Sequence, residues 1–287
     1  MNIKNTIYVV ITPVKNEEKY LDITINSMIN QTILPKLWII VDDGSTDKTN
    51  LIATATAAKY PWIKVITNDH ISKRAPGGNV ISAFNLGLKR IDCDYEYIVK
   101  FDGDLKFDND YFERLLTKFA DNKNLGIAGG YCANIVNSSL VIDKSPEYHV
   151  RGATKMYRKR CFEEIGGLIP AMGWDGIDEL KAMMLGWQTR SYPEIILIHL
   201  RTTGSGTGRI SYAWKWGKSM HFMGFYPLYA ILGSIKRTTE KPYFLFGISM
   251  LMGFIYQSMK NGQTVEDREL KIFIKTFQKK RLTDFVS

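Results

Sequence analysis

Short apolar runs alternate with helical patterns through the first 130 residues, and this alternation constrains the fold more than any other feature. The runs predict strands at residues 7–11, 37–41, 63–67, 97–101 and 127–131. Apolar residues at helical spacing predict helices at 17–30, 46–60, 80–90 and 110–120. Apolar strands joined by helices form a mostly parallel sheet that is covered on both faces, so the predicted fold class is α/β with a Rossmann-like sheet.

The pattern changes in the later part of the chain. Residues 134–160 are predicted to be loop and extended chain, followed by a helix at 177–185 and a strand at 195–199. Two apolar stretches then lie at 222–235 and 243–256, and an amphipathic helix is predicted at 265–277. Each apolar stretch is shorter than the roughly 20 residues that a membrane span needs. Both are therefore core helices or segments that lie in a membrane interface.

These patterns divide the chain into two parts. We predict a main domain at residues 1–205, with one half at 1–105 and the other at 106–205. A basic, aromatic-rich helical region follows at 206–287.

Positive charge is concentrated in the C-terminal region. The net charge is +9, and residues 201–287 carry 14 Lys or Arg against 5 Asp or Glu, whereas residues 1–200 are neutral. A basic tail on a neutral body favours an anionic partner, although a solvated basic surface has the same composition. We predict peripheral membrane contact through residues 210–260 and no nucleic-acid partner. Packing onto the main domain or a homodimer is the alternative.

Cysteine and histidine usage argues against two common stabilising devices. Three widely spaced cysteines do not suggest a disulfide framework, and four histidines without a Cys-x-x-Cys motif do not suggest a zinc site. Residues 7–11 lead directly into Thr12-Pro13 without a cleavage-site pattern, so we expect no signal peptide. The expected location is the cytoplasm, at the inner face of the cell membrane.

Acidic residues follow two of the predicted strands. Asp102 and Asp104 flank Gly103 directly after the strand at 97–101, at the edge where open α/β sheets bind their ligands. Carboxylate oxygens suit Mg²⁺ or Mn²⁺, which would bridge the oxygens of a substrate diphosphate. Asp42 follows the strand at 37–41, and its carboxylate would accept the ring N–H of a uracil- or thymine-type base.

Three ordered motifs resemble those of a known family. Residues 12–17 are Thr-Pro-Val-Lys-Asn-Glu, residues 41–47 are Val-Asp-Asp-Gly-Ser-Thr-Asp, and residues 101–104 are Phe-Asp-Gly-Asp. This order is similar to that of the inverting family 2 glycosyltransferases, which have the GT-A fold and use nucleotide-diphospho-sugar donors. The resemblance covers roughly residues 5–200 and says little about the C-terminal region.

The resemblance implies roles for the residues in these motifs. The nucleoside would be held by Thr12, Pro13, Val14, Glu17 and Asp42. Asp102 would face the ribose and the metal, Gly103 would belong to the donor-binding site, and Asp104 and Asp102 would ligate Mn²⁺ or Mg²⁺. The metal would act as a Lewis acid toward the departing nucleoside diphosphate.

The general base is where the sequence departs from the family pattern. Family members usually have Glu-Asp followed shortly by an acidic residue and leucine, whereas residues 174–180 are Trp-Asp-Gly-Ile-Asp-Glu-Leu. Counting back from Gly186 without gaps gives Asp175, and matching the acidic-leucine step gives Asp178. We prefer Asp178 and keep Asp175 as the alternative, since Asp175 also fits a helix N-cap.

Three further residues are candidates for the donor site. His199 ends a predicted strand and would be a third metal ligand, although a lone histidine also serves structural roles. Arg201 would bind the diphosphate, because a guanidinium pairs well with phosphate oxygens. Family members often have arginine where this chain has Phe84, and Arg74 is the candidate to replace it.

The sequence therefore predicts a metal-dependent inverting glycosyltransferase of the hexosyltransferase type. A UDP- or dTDP-sugar is the favoured donor, and a glycan or lipid-linked acceptor in cell-surface polysaccharide synthesis is the expected acceptor. The alternative is a non-catalytic, membrane-associated sugar-binding or assembly protein with the same fold. A nucleotidyltransferase is disfavoured because residues 12–18 contain no glycine.

Overall fold

The computed structural model describes residues 3–68, 78–136, 139–143, 145–201 and 208–286. Within them, one nine-stranded sheet is formed by β1 (Tyr8–Val14), β2 (Leu37–Asp42), β3 (Ile63–Thr67), β4 (Tyr97–Phe101), β5 (Leu105–Phe107), β6 (Leu125–Val136), β7 (Ser139–Ile142), β8 (Thr154–Arg158) and β9 (Gln188–His199). The helices are α1 (Leu21–Ile29), α2 (Thr49–Ala57), α3 (Gly78–Leu88), α4 (Tyr111–Asp121), α5 (Lys159–Glu164), α6 (Trp174–Met184), α7 (Arg209–Phe222), α8 (Pro227–Lys236), α9 (Leu245–Met259) and α10 (Arg268–Val286).

The first half of the sheet is parallel, as predicted. Its strand order is β3-β2-β1-β4, and every neighbouring pair within it is parallel. Successive residues of β1 pack in opposite directions: Val10 lies in the core that includes α1, and Ile11 lies in the core that includes α3. The sheet is therefore covered on both faces, which explains why these strands are apolar throughout.

The second half of the sheet is mixed. Strand β8 is antiparallel to β4 and to β6, while β6 and β9 are parallel. The short β5 pairs antiparallel with the end of β9, and β7 forms a hairpin with β6. The sequence pattern did not predict β5, β7 or β8, because β5 has three residues, β7 is exposed throughout and β8 contains lysine and arginine.

One irregularity interrupts the ladder between β6 and β9. Gly130 pairs with Tyr192, but the next residue, Tyr131, pairs with Ile196. Residues 193–195 of β9 therefore have no partner in β6 and form a bulge. Pro193 lies in this bulge, where a missing backbone N–H breaks no ladder hydrogen bond.

The C-terminal helices pack on α6 around a core of their own. Ile177 and Leu180 of α6 join this core, and its other buried members are Ala213, Met220, Met223, Ala230, Phe246, Met250, Phe254, Val265, Leu270 and Ile274. Leu270 and Ile274 come from the stripe predicted at 265–277. In the described part of the chain, we find no helix with the length and apolar character needed to cross a bilayer.

Glycines allow α7 and α9 to pack in close contact. A Cβ atom on Gly217 would lie 1.8 Å from the carbonyl oxygen of Met250, and one on Gly253 would lie 2.2 Å from that of Trp214. Neither position has room for a methyl group unless the helices separate. Gly233 of α8, by contrast, has no atom within 4 Å of a Cβ position.

We expect Gly217→Ala to lower the free energy of unfolding by about 1–3 kcal/mol or more, because the added methyl group overpacks the α7–α9 contact. The matched control, Gly233→Ala, should raise it by about 0.5–1 kcal/mol, because alanine is the better helix former at an open site. Denaturant unfolding followed by circular dichroism measures both values. Equal stability of the two variants would contradict the close contact.

Candidate active site

Strand pairing brings three candidate metal ligands together. Asp102 and Asp104 lie in the turn between β4 and β5, and Leu105 of β5 pairs with His199 at the end of β9. Nε2 of His199 is 3.3 Å from Oδ2 of Asp104. The ligand atoms of Asp102, Asp104 and His199 all lie within 4.8 Å of one another. One divalent cation fits between groups at this spacing, and carboxylate oxygens with an imidazole nitrogen are suitable ligands.

The turn that carries these carboxylates requires glycine at its centre. A Cβ atom on Gly103 would lie 2.6 Å from Cγ1 of Val14 and 3.7 Å from Cγ of Glu17. The contact places the turn directly against the loop that follows β1. The predicted donor-binding loop and the metal ligands are therefore neighbours.

Glu17 and Arg201 add charges to this group. Oε2 of Glu17 is 2.5 Å from Nη2 of Arg201, whose Nε is 3.9 Å from Oδ2 of Asp104. Burial first, and then the neighbouring Asp104, raise the pKa of Glu17 to about 8, and Arg201 opposes them. Glu17, Asp104 and Asp102 thus lie close together, with Arg201 beside Glu17 and Lys100 beside Asp102, and a bound cation would relieve the repulsion among the three carboxyl groups.

The pKa of His199 reflects the same negative environment. Burial alone would lower it, but the hydrogen bond to Asp104 and the charges of Asp104 and Asp102 raise it above the usual value. An imidazole must be neutral to ligate a metal. A proton would therefore compete with any metal ion that bound at His199.

Asp42, one of the residues predicted to contact the nucleoside, is held by two hydrogen bonds. Asp42 is buried at the end of β2, where Oδ1 accepts from the Ser45 N–H at 2.9 Å and Oδ2 accepts from Nδ2 of Asn50 at 2.9 Å. Asn50 also donates to Oγ1 of Thr67 at 3.0 Å. Asn50 is a site residue that the sequence analysis missed, because a polar residue in the first turn of a helix carries no signal of its own.

The first residues of the predicted donor-binding segment at 12–17 belong to β1 and are buried. Oγ1 of Thr12 accepts from the indole N–H of Trp38 at 2.8 Å, and Thr12 is fully buried. Pro13 and Val14 are buried as well. Glu17 is only partly buried, so it is the member of this group whose side chain lies at the cleft.

The two candidate bases occupy different environments. Asp178 is buried, with Nζ of Lys155 at 2.7 and 2.9 Å, the Tyr157 hydroxyl at 2.5 Å and the Glu179 N–H at 2.7 Å. Burial raises the pKa of Asp178, and the Lys155 ammonium opposes that effect. Asp178 therefore belongs to a fully bonded internal cluster.

Asp175 lies beside the backbone segment that hydrogen-bonds to Asp102. It is half-buried in the first turn of α6, and a Cβ atom on Gly152 would lie 3.1 Å from its Oδ2. The neighbouring Ala153 accepts a hydrogen bond from the Asp102 N–H at 2.9 Å. A short backbone segment thus separates Asp175 from Asp102.

Two buried lysines join these groups, and the sequence analysis assigned them no role. Lys100 of β4 and Lys155 of β8 are paired across the sheet. Lys100 contacts the Asp102 carboxylate, and Lys155 donates to the carbonyl oxygen of Asp175 at 2.5 Å. Each ammonium lies 5.4 Å from the centre of the Trp174 ring. The available signal was a lysine within the otherwise apolar strand at 97–101.

Arg74, predicted to take the place of the arginine that family members often have at the position of Phe84, lies outside the part of the chain that the structure describes. The three cysteines are free thiols, as expected.

Residues 9–174 match the family described as Glycosyl transferase family 2. The chain is 38% identical over 117 residues to the minor teichoic acid biosynthesis protein GgaB of Bacillus subtilis. The matched region covers 40% of this chain and 12% of that protein. It is 28% identical over 142 residues to a cholesterol galactosyltransferase of Borreliella burgdorferi, or 48% of this chain and 37% of that protein. The chain therefore spans well under half the length of these relatives.

Solved structures show the same fold. A mannosyltransferase from Pyrobaculum calidifontis, in complex with GDP-Man and Mn²⁺, has a TM-score of 0.59 and 16% identity, covering 88% of this chain and 86% of that one. Residues 1–349 of S. aureus TarS, in complex with UDP-GlcNAc, match with a TM-score of 0.56 and 15% identity. The match covers 90% of this chain and 74% of that one. The GT-A fold predicted from the sequence is confirmed.

We expect Lys155→Met to lower the free energy of unfolding by about 3–5 kcal/mol, because it leaves the buried Asp178 and Glu179 without their shared cation. Lys64→Met is the matched control, since it removes the exposed ion pair with Asp92 and should change stability little. Urea unfolding measures both. A small effect of Lys155→Met would show that water or a second cation replaces the ammonium.

Proposed function

The chain belongs to glycosyl transferase family 2, and on that premise we propose that it transfers a sugar from a nucleotide-diphospho-sugar donor to a glycan or lipid-linked acceptor with inversion. The observation that carries the proposal is the convergence of Asp102, Asp104 and His199 within 4.8 Å at the cleft edge of the sheet. A catalytic unit at residues 1–205, with its nucleotide half at 1–105, would hold this site. Cell-surface polysaccharide synthesis is the proposed setting.

A divalent metal fits the residues that are present. Two carboxylates suit either Mg²⁺ or Mn²⁺, and the imidazole of His199 favours Mn²⁺ of the two. When bound, the ion would supply Lewis-acid stabilisation of the departing diphosphate. The charge of Asp104 adds to burial in raising the pKa of Glu17, so a cation bound here would relieve a local repulsion.

Asp42 and Arg201 are the proposed donor contacts on either side of the metal ligands. Each Asp42 oxygen accepts one hydrogen bond and keeps a lone pair for the ring N–H of a uracil- or thymine-type base, which favours a UDP- or dTDP-sugar. The Arg201 guanidinium pairs with Glu17, and a diphosphate would offer it a more strongly charged partner.

Asp175 is better suited than Asp178 to be the general base. A base needs access to the acceptor hydroxyl, and Asp178 is enclosed by Lys155, Tyr157 and the Glu179 N–H. Asp175 is half-exposed beside the segment that bonds Asp102. Its carboxylate would accept the proton of the acceptor hydroxyl as the oxygen attacks the anomeric carbon, while the nucleoside diphosphate leaves from the opposite face.

The alternative is a non-catalytic sugar-binding or assembly protein with this fold. Such a protein gains nothing from keeping Asp42 and Asp104 buried, because burying a carboxylate is costly unless it is used. We also propose a location at the cytoplasmic face of the membrane, with peripheral contact through residues 210–260; a homodimer is the competing assembly.

Calorimetric titration with UDP, dTDP and GDP, with and without Mn²⁺, tests the donor site. We expect metal-dependent binding of one nucleotide, lost in Asp104→Asn because the variant removes a metal ligand. Asp108→Asn is the control, since it makes the same charge change at an exposed position just beyond β5. Equal binding by wild type and Asp104→Asn, or binding of no nucleotide at all, would overturn the proposed site.

The bases are separated by comparing Asp175→Asn with Asp178→Asn. We expect Asp175→Asn to keep nucleotide binding and melting temperature but to lower nucleoside diphosphate release by about 10²–10⁴-fold, the usual contribution of a general base. Asp178→Asn should lower the melting temperature because it weakens the buried cluster with Lys155. A stable, inactive Asp178→Asn beside an active Asp175→Asn would reverse the assignment.

A further inference from the structure

Helix α8 exposes a stripe of aliphatic side chains. Its members recur at i, i+3, i+4 and i+7 and are 38–56% exposed: Leu228, Ile231, Leu232 and Ile235. Ala230 and Ser234, on the opposite side of the helix, are buried. The helix therefore has one face in the C-terminal core and an equally apolar face on the surface.

Helix α9 has the same two-sided character. Phe246, Met250 and Phe254 are buried in the C-terminal core. The outer side exposes Ile248, Met252, Ile255 and Met259. A soluble surface helix normally has polar residues on its outer side, so both helices depart from the usual pattern.

Close packing joins the two stripes into one surface. A Cβ atom on Gly247 of α9 would lie 2.3 Å from the carbonyl oxygen of Ser234 of α8, so the helices are in backbone contact. We use the name apolar face for the two stripes together with three exposed residues at the start of α9: Tyr243 and Phe244, which precede the helix, and Leu245, its first residue. Continuous apolar surface of this kind marks an interaction site.

Phe244 is the most unusual residue of the apolar face. Its backbone φ is 61°, a left-handed conformation that is strained for a bulky residue, and its side chain is 69% exposed. An aromatic ring held in solvent by a strained backbone gains nothing inside the monomer. Such outliers are found where the surroundings use them.

The segment that forms the apolar face is strongly basic. Residues 209–262 contain seven Lys or Arg and one acidic residue, Glu240, which pairs with Arg237 at 3.1 Å. Lys236, Lys241 and Lys260 are exposed. An apolar surface with a basic rim matches the interface of an anionic bilayer, where acyl chains lie beneath phosphate groups.

We propose that the apolar face inserts into the interface of an anionic membrane, with Phe244 and the stripes of α8 and α9 at the acyl boundary and the surrounding lysines at the lipid phosphates. The helices would lie in the plane of the membrane, since neither spans it. A second copy of the chain is a poorer occupant, because a two-fold contact would place the two basic rims against each other.

The large aromatic residues of α7 contribute little to the apolar face. Trp216, Phe222 and Phe225 pack against the C-terminal core, and the ring of Trp214 lies 5.3 Å from that of Tyr256. The apolar face is therefore mainly aliphatic, with Tyr243 and Phe244 as its aromatic members.

The apolar face is rigidly connected to the proposed base. Oγ of Ser219 in α7 donates to the carbonyl oxygen of Met172 at 2.6 Å, two residues before α6 begins at Trp174. If the proposed transferase function holds, membrane docking would fix the position of Asp175 relative to a lipid-linked acceptor.

Co-sedimentation of the full chain with vesicles of phosphatidylcholine containing phosphatidylglycerol tests the docking surface. The variant Leu232→Gln/Phe244→Gly/Met252→Gln removes three exposed apolar side chains, and glycine tolerates the positive φ at position 244. We expect vesicle affinity to fall by about tenfold or more, because apolar area no longer leaves water. The control Ile135→Thr/Leu140→Thr/Val141→Thr removes comparable exposed surface on the β6–β7 hairpin and should bind as wild type does.

Several outcomes decide the proposal. Binding to anionic but not to pure phosphatidylcholine vesicles, weakened by salt, supports the basic rim. Equal binding by both triple variants, or no binding by wild type, overturns the proposal. A wild-type dimer in light scattering that becomes a monomer only in the α8–α9 variant would assign the face to a second copy instead. Nucleotide titration of the same variants reports the donor site separately, so the two proposals can fail independently.

Discussion

Two ammonium groups inside the sheet hold the candidate site together. Lys100 and Lys155 face each other across β4 and β8, where an isolated charge would be costly. Each is compensated by carboxylates, Asp102 on one side and Asp178 with Glu179 on the other. Because both ammonium groups also contact the Trp174 ring, the metal-ligand turn and the start of α6 are fixed relative to each other. The remaining geometry of the cleft depends on this arrangement.

The parallel half of the fold was predictable because its strands are buried on both faces. Strands such as β2 and β4 contain unbroken apolar runs, and the helices between them show clear periodicity. The positions of Asp42, Asp102 and Asp104 followed from the same logic, since each ends such a strand. Local sequence was therefore sufficient to predict a strand or helix wherever burial alone determines which of the two forms.

The mixed half of the sheet and the details of the site were not predictable in the same way. Strand β8 contains Lys155 and Arg158, whose partners lie far away in sequence, so its charges suggested a loop. The order of Asp175 and Asp178 along the chain could not show that one is enclosed and the other half-exposed. The apolar stretches near the C-terminus correctly indicated helices, but which side of each helix is buried depends on packing against α6.

The bulge in β9 sets the phase of its last residues. Side chains alternate between the two faces of a strand, so residues 193–195 determine which of Ile198 and His199 lies beside Asp104. Adding or removing one residue there would place an isoleucine instead of an imidazole beside Asp104 while leaving Asp102 and Asp104 unchanged. The length of this short segment thus decides, as much as the identity of residue 199, which side chain would be offered to a metal at this position.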